Sequence, residues 1–348
     1  MIKTISFCPT CYSKIPAEIL FQGRTVIMMK ECEEHGPFTS IVEKSTRHVS
    51  NFYTRGTLGN NNTIIIHIHN DCNMTCSWCY YPKGTEKMHP FQYYNSILMM
   101  YRGTHRLLFS GGEPTLRPDF FEFAKEASIN GWEPSSITNM IKLSDDEFFT
   151  RTKFLGPLFT TNGIYRFALS MQHPKNYSEE ILRQKMKALE NIEKSKLKAM
   201  CVMFSIQSLD ELDWIRDFYN HTKHCYIMIR IRTMFKNWEN KGDKSNLFLS
   251  DLHEAFLDKF GDLNPIQSRD IEQSNIYCLY MKMDGGMNVS LSSAPTVENI
   301  DIMACSRPVF MLAMDGKPYP VPIAQIINEG ISHKWKDGFR LDGGSLCG

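Results

Sequence analysis

No hydrophobic run in this 348-residue chain is long enough to cross a bilayer: the longest apolar stretches, such as Thr63 to Ile66, are only a few residues, where about twenty are needed. An excess of charge of either sign is also missing. The formal net charge is +1, so composition gives no reason to expect nucleic acid or another polyanion as a partner. Nothing at the amino terminus reads as a secretory leader, because Met1-Ile2-Lys3-Thr4 runs almost directly into the pair Cys8 and Cys11. These absences predict a cytoplasmic protein with no membrane span. The length allows one large domain plus one or two small ones.

Cysteine, by contrast, is plentiful, with eleven residues. Several sit in ligand-like groups, and thiolate ligation calls for a reducing compartment. The run Asn70-Asp71-Cys72-Asn73-Met74-Thr75-Cys76-Ser77-Trp78-Cys79-Tyr80-Tyr81 places Cys72, Cys76 and Cys79 at C-x3-C-x2-C spacing, directly after an apolar strand-like run. Zinc usually takes four protein ligands in closely spaced pairs, and no fourth partner is near. Three thiolates can instead hold three irons of a four-iron cluster and leave the fourth iron open to a substrate or cofactor. The alternatives are a zinc site or three unrelated core thiols. Further along, the short buried-strand pattern Arg106-Leu107-Leu108-Phe109 leads into Ser110-Gly111-Gly112-Glu113-Pro114-Thr115. Paired glycines admit a ligand close to the backbone, and a carboxylate beside them can receive an ammonium group.

With both motifs in this order, the chain resembles the radical S-adenosylmethionine (SAM) superfamily, whose signature is such a cysteine triplet after the first strand and a Gly-Gly-Glu-Pro segment after the second. The resemblance implies a [4Fe–4S] cluster on Cys72, Cys76 and Cys79, with the amino and carboxylate groups of SAM on its open iron. Gly111, Gly112 and Glu113 would lie along the methionine part, Glu113 meeting the ammonium, and Tyr80 would lie near the adenine. One electron from the cluster would then cleave a carbon–sulfur bond of SAM, most often releasing a 5′-deoxyadenosyl radical. An electron donor such as flavodoxin or ferredoxin and sensitivity to oxygen are implied too.

Three segments can be drawn. In residues 1–50, Cys8-Pro9-Thr10-Cys11 and Glu31-Cys32-Glu33-Glu34-His35 supply a pair of ligands each, joined by a hairpin-like stretch around Thr25 to Met29. Cys8, Cys11, Cys32 and His35 are the layout of a zinc ribbon or rubredoxin-like knuckle, closed by four protein ligands and therefore structural. A segment this short needs such a staple. The alternative leaves the cysteines unligated and His35 as a surface residue. The module is similar to the amino-terminal part of a radical SAM branch that includes archaeal tetraether-lipid synthases and pterin-methyltransferase-like proteins. Those chains are generally longer, and no second C-x3-C-x2-C triplet of their methyltransferase members is present here.

Residues 51–265 follow through a polar linker around Arg55 to Asn62 and alternate strand-like and amphipathic helical patterns. Strands are expected at Ile64–His69, Leu107–Phe109, Ser136–Met140, Tyr165–Met171, Ala199–Ile206 and Tyr226–Arg232. Helices are expected at Phe91–Tyr101, Phe120–Asn130, Ser178–Lys194 and Ser208–Tyr219. The predicted class is α/β, a partial (β/α)6 barrel of the TIM type with its reactive groups at the carboxyl ends of the strands. Asn139, Ser170, Gln172, Arg230 and Arg232 sit at such ends, as candidates for SAM contacts or as hydrogen-bonded structural residues. His67 and His69 share a strand face and read better as satisfied histidines than as a metal pair.

Residues 266–348 hold Cys278, Cys305 and Cys347, with turn signals at Asp284-Gly285-Gly286 and Asp315-Gly316 between β-like runs. This part reads as a β-rich cap. It resembles in degenerate form the auxiliary-cluster extensions of many radical SAM enzymes, so a second cluster on those three cysteines is the competing reading.

The function expected is a radical SAM enzyme acting on a small polar metabolite or a peptide residue. Methyl or alkyl transfer, including transfer of a 3-amino-3-carboxypropyl group, is an alternative. So is a non-catalytic iron–sulfur or zinc interaction protein, although Gly111-Gly112-Glu113 would then have no reason to accompany the triplet. No catalytic residue can be named.

Overall fold

The computed structural model describes residues 1–11, 13–47, 49, 63–76, 88–99, 106–159, 166–195, 201–222, 228–233, 247–263, 266–267, 278–283, 288–293, 298–299, 310–312 and 318–320. Four strands open the chain: β1 (Ile2–Phe7), β2 (Lys14–Gln22), β3 (Thr25–Cys32) and β4 (Gly36–Glu43). They pair antiparallel in sequence order. Along β3 the side chains of Val26, Met28, Lys30 and Cys32 point inward and the intervening residues do not, as a half-buried strand requires. The resulting core is small, essentially Ala17, Ile19, Val26, Met28, Val42 and Val49.

Beyond it run six parallel strands, each followed by a helix. These are β5 (Thr63–His69), α1 (Phe91–Leu98), β6 (Arg106–Gly111), α2 (Phe120–Ile129), β7 (Glu133–Thr138), α3 (Asp146–Phe159), β8 (Arg166–Met171), α4 (Glu179–Ser195), β9 (Cys201–Ile206), α5 (Glu211–Thr222), β10 (Met228–Thr233) and α6 (Leu249–Phe260). Each strand pairs in parallel with the next. Alternate residues, among them Ile66, Phe109, Leu169, Phe204 and Ile231, pack under Phe91, Phe123, Leu189, Phe218 and Phe256 of the helices in one continuous core. The opposite face of the sheet carries polar groups at its upper end, which is the geometry that makes strand ends a site.

The hairpins expected beyond residue 265 are built onto both edges of this sheet. β11 (Ile266–Gln267), β12 (Cys278–Lys282) and β13 (Asn288–Ser292) form an antiparallel set whose last strand lies parallel to β10. β14 (Phe310–Leu312) lies parallel to β5 and antiparallel to β15 (Pro318–Pro320). The central strands are thereby kept from presenting an open edge.

Glu43, at the end of β4, fastens the small sheet to the barrel. It is 1% exposed, and its carboxylate accepts from the Ser250 main-chain N–H at 3.1 Å and from the Ser250 hydroxyl, in the first turn of α6. An anion placed at a helix amino terminus is favoured by the orphan N–H groups there. Lys44 adds an ion pair to Asp251 at 3.4 Å, and Ser40 and Ile41 bond the Glu298–Asn299 segment. Burial pushes the Glu43 carboxyl above its ordinary value, against the pull of the Ser250 and main-chain bonds. A raised acid contributes most to stability at low pH, and that contribution declines as pH rises above the ordinary carboxyl value and through the folded one. Glu43→Gln is therefore expected to cost about 1–2 kcal/mol near pH 5 through its weakened bonds, and less at pH 8. Urea unfolding across that range checks it, and a gap that widens with pH contradicts the assigned direction.

Candidate active site and metal knuckle

Cys8 follows β1, Cys11 lies in the next turn, Cys32 ends β3 and His35 sits in the turn before β4, so two hairpin turns bring four ligands to one point. Cys11 Sγ lies 3.8 Å from Cys32 Sγ, and His35 Nδ1 lies 3.5 Å from Cys32 Sγ and 3.8 Å from Cys8 Sγ. With metal–sulfur bonds of about 2.3 Å, the edges of a tetrahedral zinc site come to about 3.8 Å, so the donor set fits zinc. The main-chain N–H groups of Thr10 and Cys11 point at Cys8 Sγ from 3.4 and 3.5 Å. Ser13, through its hydroxyl and main chain, draws the Cys11 thiol down to about 6, which favours the ligating thiolate. Cys32→Ser is expected to lose the zinc and with it much of the roughly 10 kcal/mol that a structural zinc lends a small module. Hydrogen exchange should show β1–β4 exchanging quickly while the barrel strands stay protected.

The second site is at the carboxyl ends of β5 to β8. Residues 70–76 leave β5 and pass beside the end of β6, where the Gly112 N–H bonds the His69 carbonyl and the Glu113 N–H bonds the Asp71 carbonyl, both at 2.7 Å. The glycines make this approach possible. A Cβ on Gly111 would stand 2.2 Å from the His69 carbonyl oxygen, at a φ of +118°, and one on Gly112 would stand 2.2 Å from that of Asp71. The side-chain space that the two glycines give up is taken by the main chain of His69, at the end of β5, and of Asp71, at the start of the cysteine loop.

Glu113, 2% exposed, is a hub. One carboxylate oxygen accepts from the Thr115 N–H, the Thr115 hydroxyl and the Thr138 hydroxyl, and the other from the Asn139 N–H at 2.6 Å. Burial raises its carboxyl and these donors oppose the rise. Asn139 in turn reaches the cysteine loop, its amide donating to Asn73 Oδ1 at 2.7 Å and lying 3.7 Å from Cys72 Sγ. The Met74 N–H also points at Cys72 Sγ, from 3.4 Å. N–H groups aimed at a cysteine sulfur are the polar environment that cluster thiolates take. Cys76 lies in the same loop.

Ser170, near the end of β8, and Gln172, just past it, continue the network. Gln172 Nε2 donates to Ser170 Oγ at 3.3 Å, and the Tyr177 hydroxyl donates to Gln172 Oε1 while accepting from the Gln172 N–H. Lys185, from α4, donates to the carbonyls of Asn139 at 2.7 Å and Ser170 at 2.9 Å. Arg117 holds the cysteine segment from both sides, donating to the carbonyls of Ile68 before it and His89 after it, each at 2.8 Å.

Asn139, Ser170, Gln172, Glu113 and the two described cysteines are therefore brought together. Arg230 shares a register row with Ser170 through Met203, two strands and roughly 10 Å across the sheet, and its Nε lies 3.3 Å from Met228 Sδ. Arg232 falls beside Ser205 and Ser292 in the pairing. Its side chain and that of Cys278 lie outside the described residues, as do Cys79, Tyr80, Cys305 and Cys347. His67 and His69 are buried, their ring basicity lowered by that burial, His67 to about 3. Among the described residues the Cys8, Cys11, Cys32, His35 set is the only metal-ligand group of three or more. Thr138, Tyr177, Arg117 and Lys185 were not singled out by the sequence. For Lys185 a signal exists: it lies on the stripe Ile181, Leu182, Ala188, Leu189 and Ile192, where an amphipathic helix should be apolar.

Residues 1–44 match the HMPTM N-terminal zinc ribbon domain, and residues 66–219 match the radical SAM superfamily. Over 187 residues the chain is 29% identical to a protein of Methanocaldococcus jannaschii named 7,8-dihydro-6-hydroxymethylpterin dimethyltransferase. The match takes in 44% of this chain and 37% of that relative's length. Among solved structures, Streptococcus suis SuiB bound to its precursor peptide SuiA superposes with a TM-score of 0.51 at 13% identity, covering 74% of this chain and 59% of SuiB. The SAM-bound form of SuiB gives the same score at 12% identity, so the fold is shared. No helix among the described residues is long and apolar enough to span a membrane. The chain thus carries a zinc ribbon domain at residues 1–44 ahead of a radical SAM domain at residues 66–219.

Proposed function

We propose that the chain binds a [4Fe–4S] cluster through Cys72, Cys76 and Cys79, cleaves SAM reductively at it, and uses the resulting carbon radical to modify a small polar metabolite. The observation that carries this reading is the pair of 2.7 Å main-chain bonds that lock the Gly-Gly-Glu segment onto the start of the cysteine loop. Those bonds put both halves of the signature at one mouth of the sheet. When bound, the cluster supplies a single electron to SAM; a low-potential donor such as flavodoxin or ferredoxin would supply it in turn. This chain's own residues do the positioning. Asn139 and the Met74 N–H face the Cys72 sulfur, Glu113 fixes the ends of β6 and β7 against each other, and the Ser170–Gln172–Tyr177 chain lines the next strand end. Hydrogen-bonded partners of this kind hold reacting groups within the tolerance that catalysis needs.

A small metabolite is preferred to a peptide because the relative matched in sequence is named for a pterin, whereas the peptide-bound structure shares only the fold. That relative's name also supports a second reading, methyl transfer to such a metabolite.

The test is product analysis by mass after incubating reduced, cluster-replete protein with SAM under anaerobic conditions. 5′-Deoxyadenosine is expected. S-adenosylhomocysteine alongside it points to methyl transfer, and methylthioadenosine points to the 3-amino-3-carboxypropyl route. A cluster-replete sample that leaves SAM untouched overturns the reading.

A further inference from the structure

Lys185 is 0% exposed, and no carboxylate among the described residues forms an ion pair with it. Its ammonium is instead held by two main-chain carbonyls, Asn139 O and Ser170 O, and stands 4.8 Å from the centre of the Tyr177 ring. Burying an ammonium this deeply costs several kcal/mol unless charge nearby repays it. A methionine would fill the same place on the apolar stripe of α4 without that cost. Two carbonyl bonds are a partial return. The remaining compensation comes from the negative forms of Cys76, Glu113 and Cys72, which favour the charged ammonium in that order. Burial still draws it down to about 8.

The geometry points to Lys185 as a positioning residue of this mouth, one that ties the ends of β7 and β8 together and sets a fixed positive charge against the thiolates of Cys72 and Cys76. The assignment rests on the proposed cluster site. Its structural half follows from the hydrogen bonds: Asn139 faces the Cys72 sulfur and Ser170 carries the Gln172–Tyr177 chain, so a single side chain sets the separation of both. Its electrostatic half follows from Coulomb's law, which acts more strongly on a buried ammonium than on a solvated one. A cluster gains negative charge when it is reduced, so a neighbouring cation favours the reduced form.

Two neutral variants separate the halves. Lys185→Met removes charge and both hydrogen bonds; Lys185→Gln removes the charge and keeps a donor. Each is reconstituted with iron and sulfide in the full chain, its fold followed by thermal melting and zinc content, and its cluster titrated by electron paramagnetic resonance. Both variants are expected to load the cluster at a lower reduction potential than the parent. SAM binding, followed by equilibrium dialysis, is expected to weaken at least tenfold in Lys185→Met and less in Lys185→Gln. Parent-like potentials in both variants overturn the proposal. Loss of the fold in both also overturns it, leaving Lys185 a structural residue. A parent chain that loads no cluster overturns the proposed function itself, and this inference with it.

Discussion

Cys76→Ala should leave the protein folded and its zinc in place while iron and every SAM-derived product disappear. The separation is expected because the two metal sites share no residue. The knuckle is built on β1 and the β3–β4 turn, whereas Cys76 lies on the segment that leaves β5. Cys76 is partly exposed, so removing its sulfur opens no sealed core cavity and should cost well under the roughly 2–5 kcal/mol of a core truncation. The chemical consequence is far larger than the structural one. A site that offers three thiolates to a four-iron cluster already leaves one iron without a protein ligand; taking a second away leaves two anchors and no defined open position. Elemental analysis should therefore show zinc at the parent level and iron near zero, with no deoxyadenosine formed on reduction. Cys32→Ser should give the reverse pattern of metals. Iron retention with unchanged SAM cleavage in Cys76→Ala would place the cluster on other cysteines.

The parts of this site that could be read from sequence are those whose chemistry depends on residue type at fixed spacing. Cys72, Cys76, Gly111, Gly112 and Glu113 are of this kind, as are the four knuckle ligands. The six parallel strands are legible for a related reason: runs such as Ile64–Ile68 and Cys201–Ile206 are buried on the helix-facing side, and short apolar runs between turn signals have few other uses. What stayed hidden depends on long-range pairing. Arg117 reads as an ordinary residue after Pro114-Thr115-Leu116, yet its guanidinium reaches carbonyls 49 and 28 residues away in the chain. Glu43 gives no local hint that it will meet Ser250, 207 residues on. Helix α3 conceals itself differently, since Gly156-Pro157 inside its range is a pair that normally argues against helix.

The glycines also show how a correct motif can carry an incomplete reason. Their expected use is to admit a ligand, and Gly112 does stand beside the loop that would hold one. The atoms that occupy its missing side chain, however, are Asp71 O at 2.2 Å and carbons of Asp71 and Asn70 at 2.7 and 2.8 Å. The motif acts first on the protein's own backbone, by fixing where the cysteine loop begins.

Gly112→Ala should for that reason be among the most damaging single changes outside the cysteines. The new methyl group meets main-chain atoms, which cannot swing aside as a flexible side chain would, so either β6 or the loop must shift. Overpacking of this kind costs about 1–3 kcal/mol, occasionally more. Separating the strands also strains the Glu113–Asp71 and Gly112–His69 bonds, each worth roughly 1 kcal/mol. A displacement on the order of 1 Å at a reacting centre is enough for roughly a hundredfold loss of rate. The stability loss and the rate loss are distinguishable. Gly131, where by contrast an added Cβ would meet nothing within 4 Å but φ is +85°, lies in the turn after α2 and away from the loop. Gly131→Ala is strained by its backbone conformation alone and serves as the control. Gly112→Ala is expected to lower the melting temperature by a comparable amount and to slow deoxyadenosine formation about a hundredfold more than the control does. Equal rates in the two variants at matched cluster content would mean that the close approach of Gly112 to Asp71 stabilises the fold without placing the loop for chemistry.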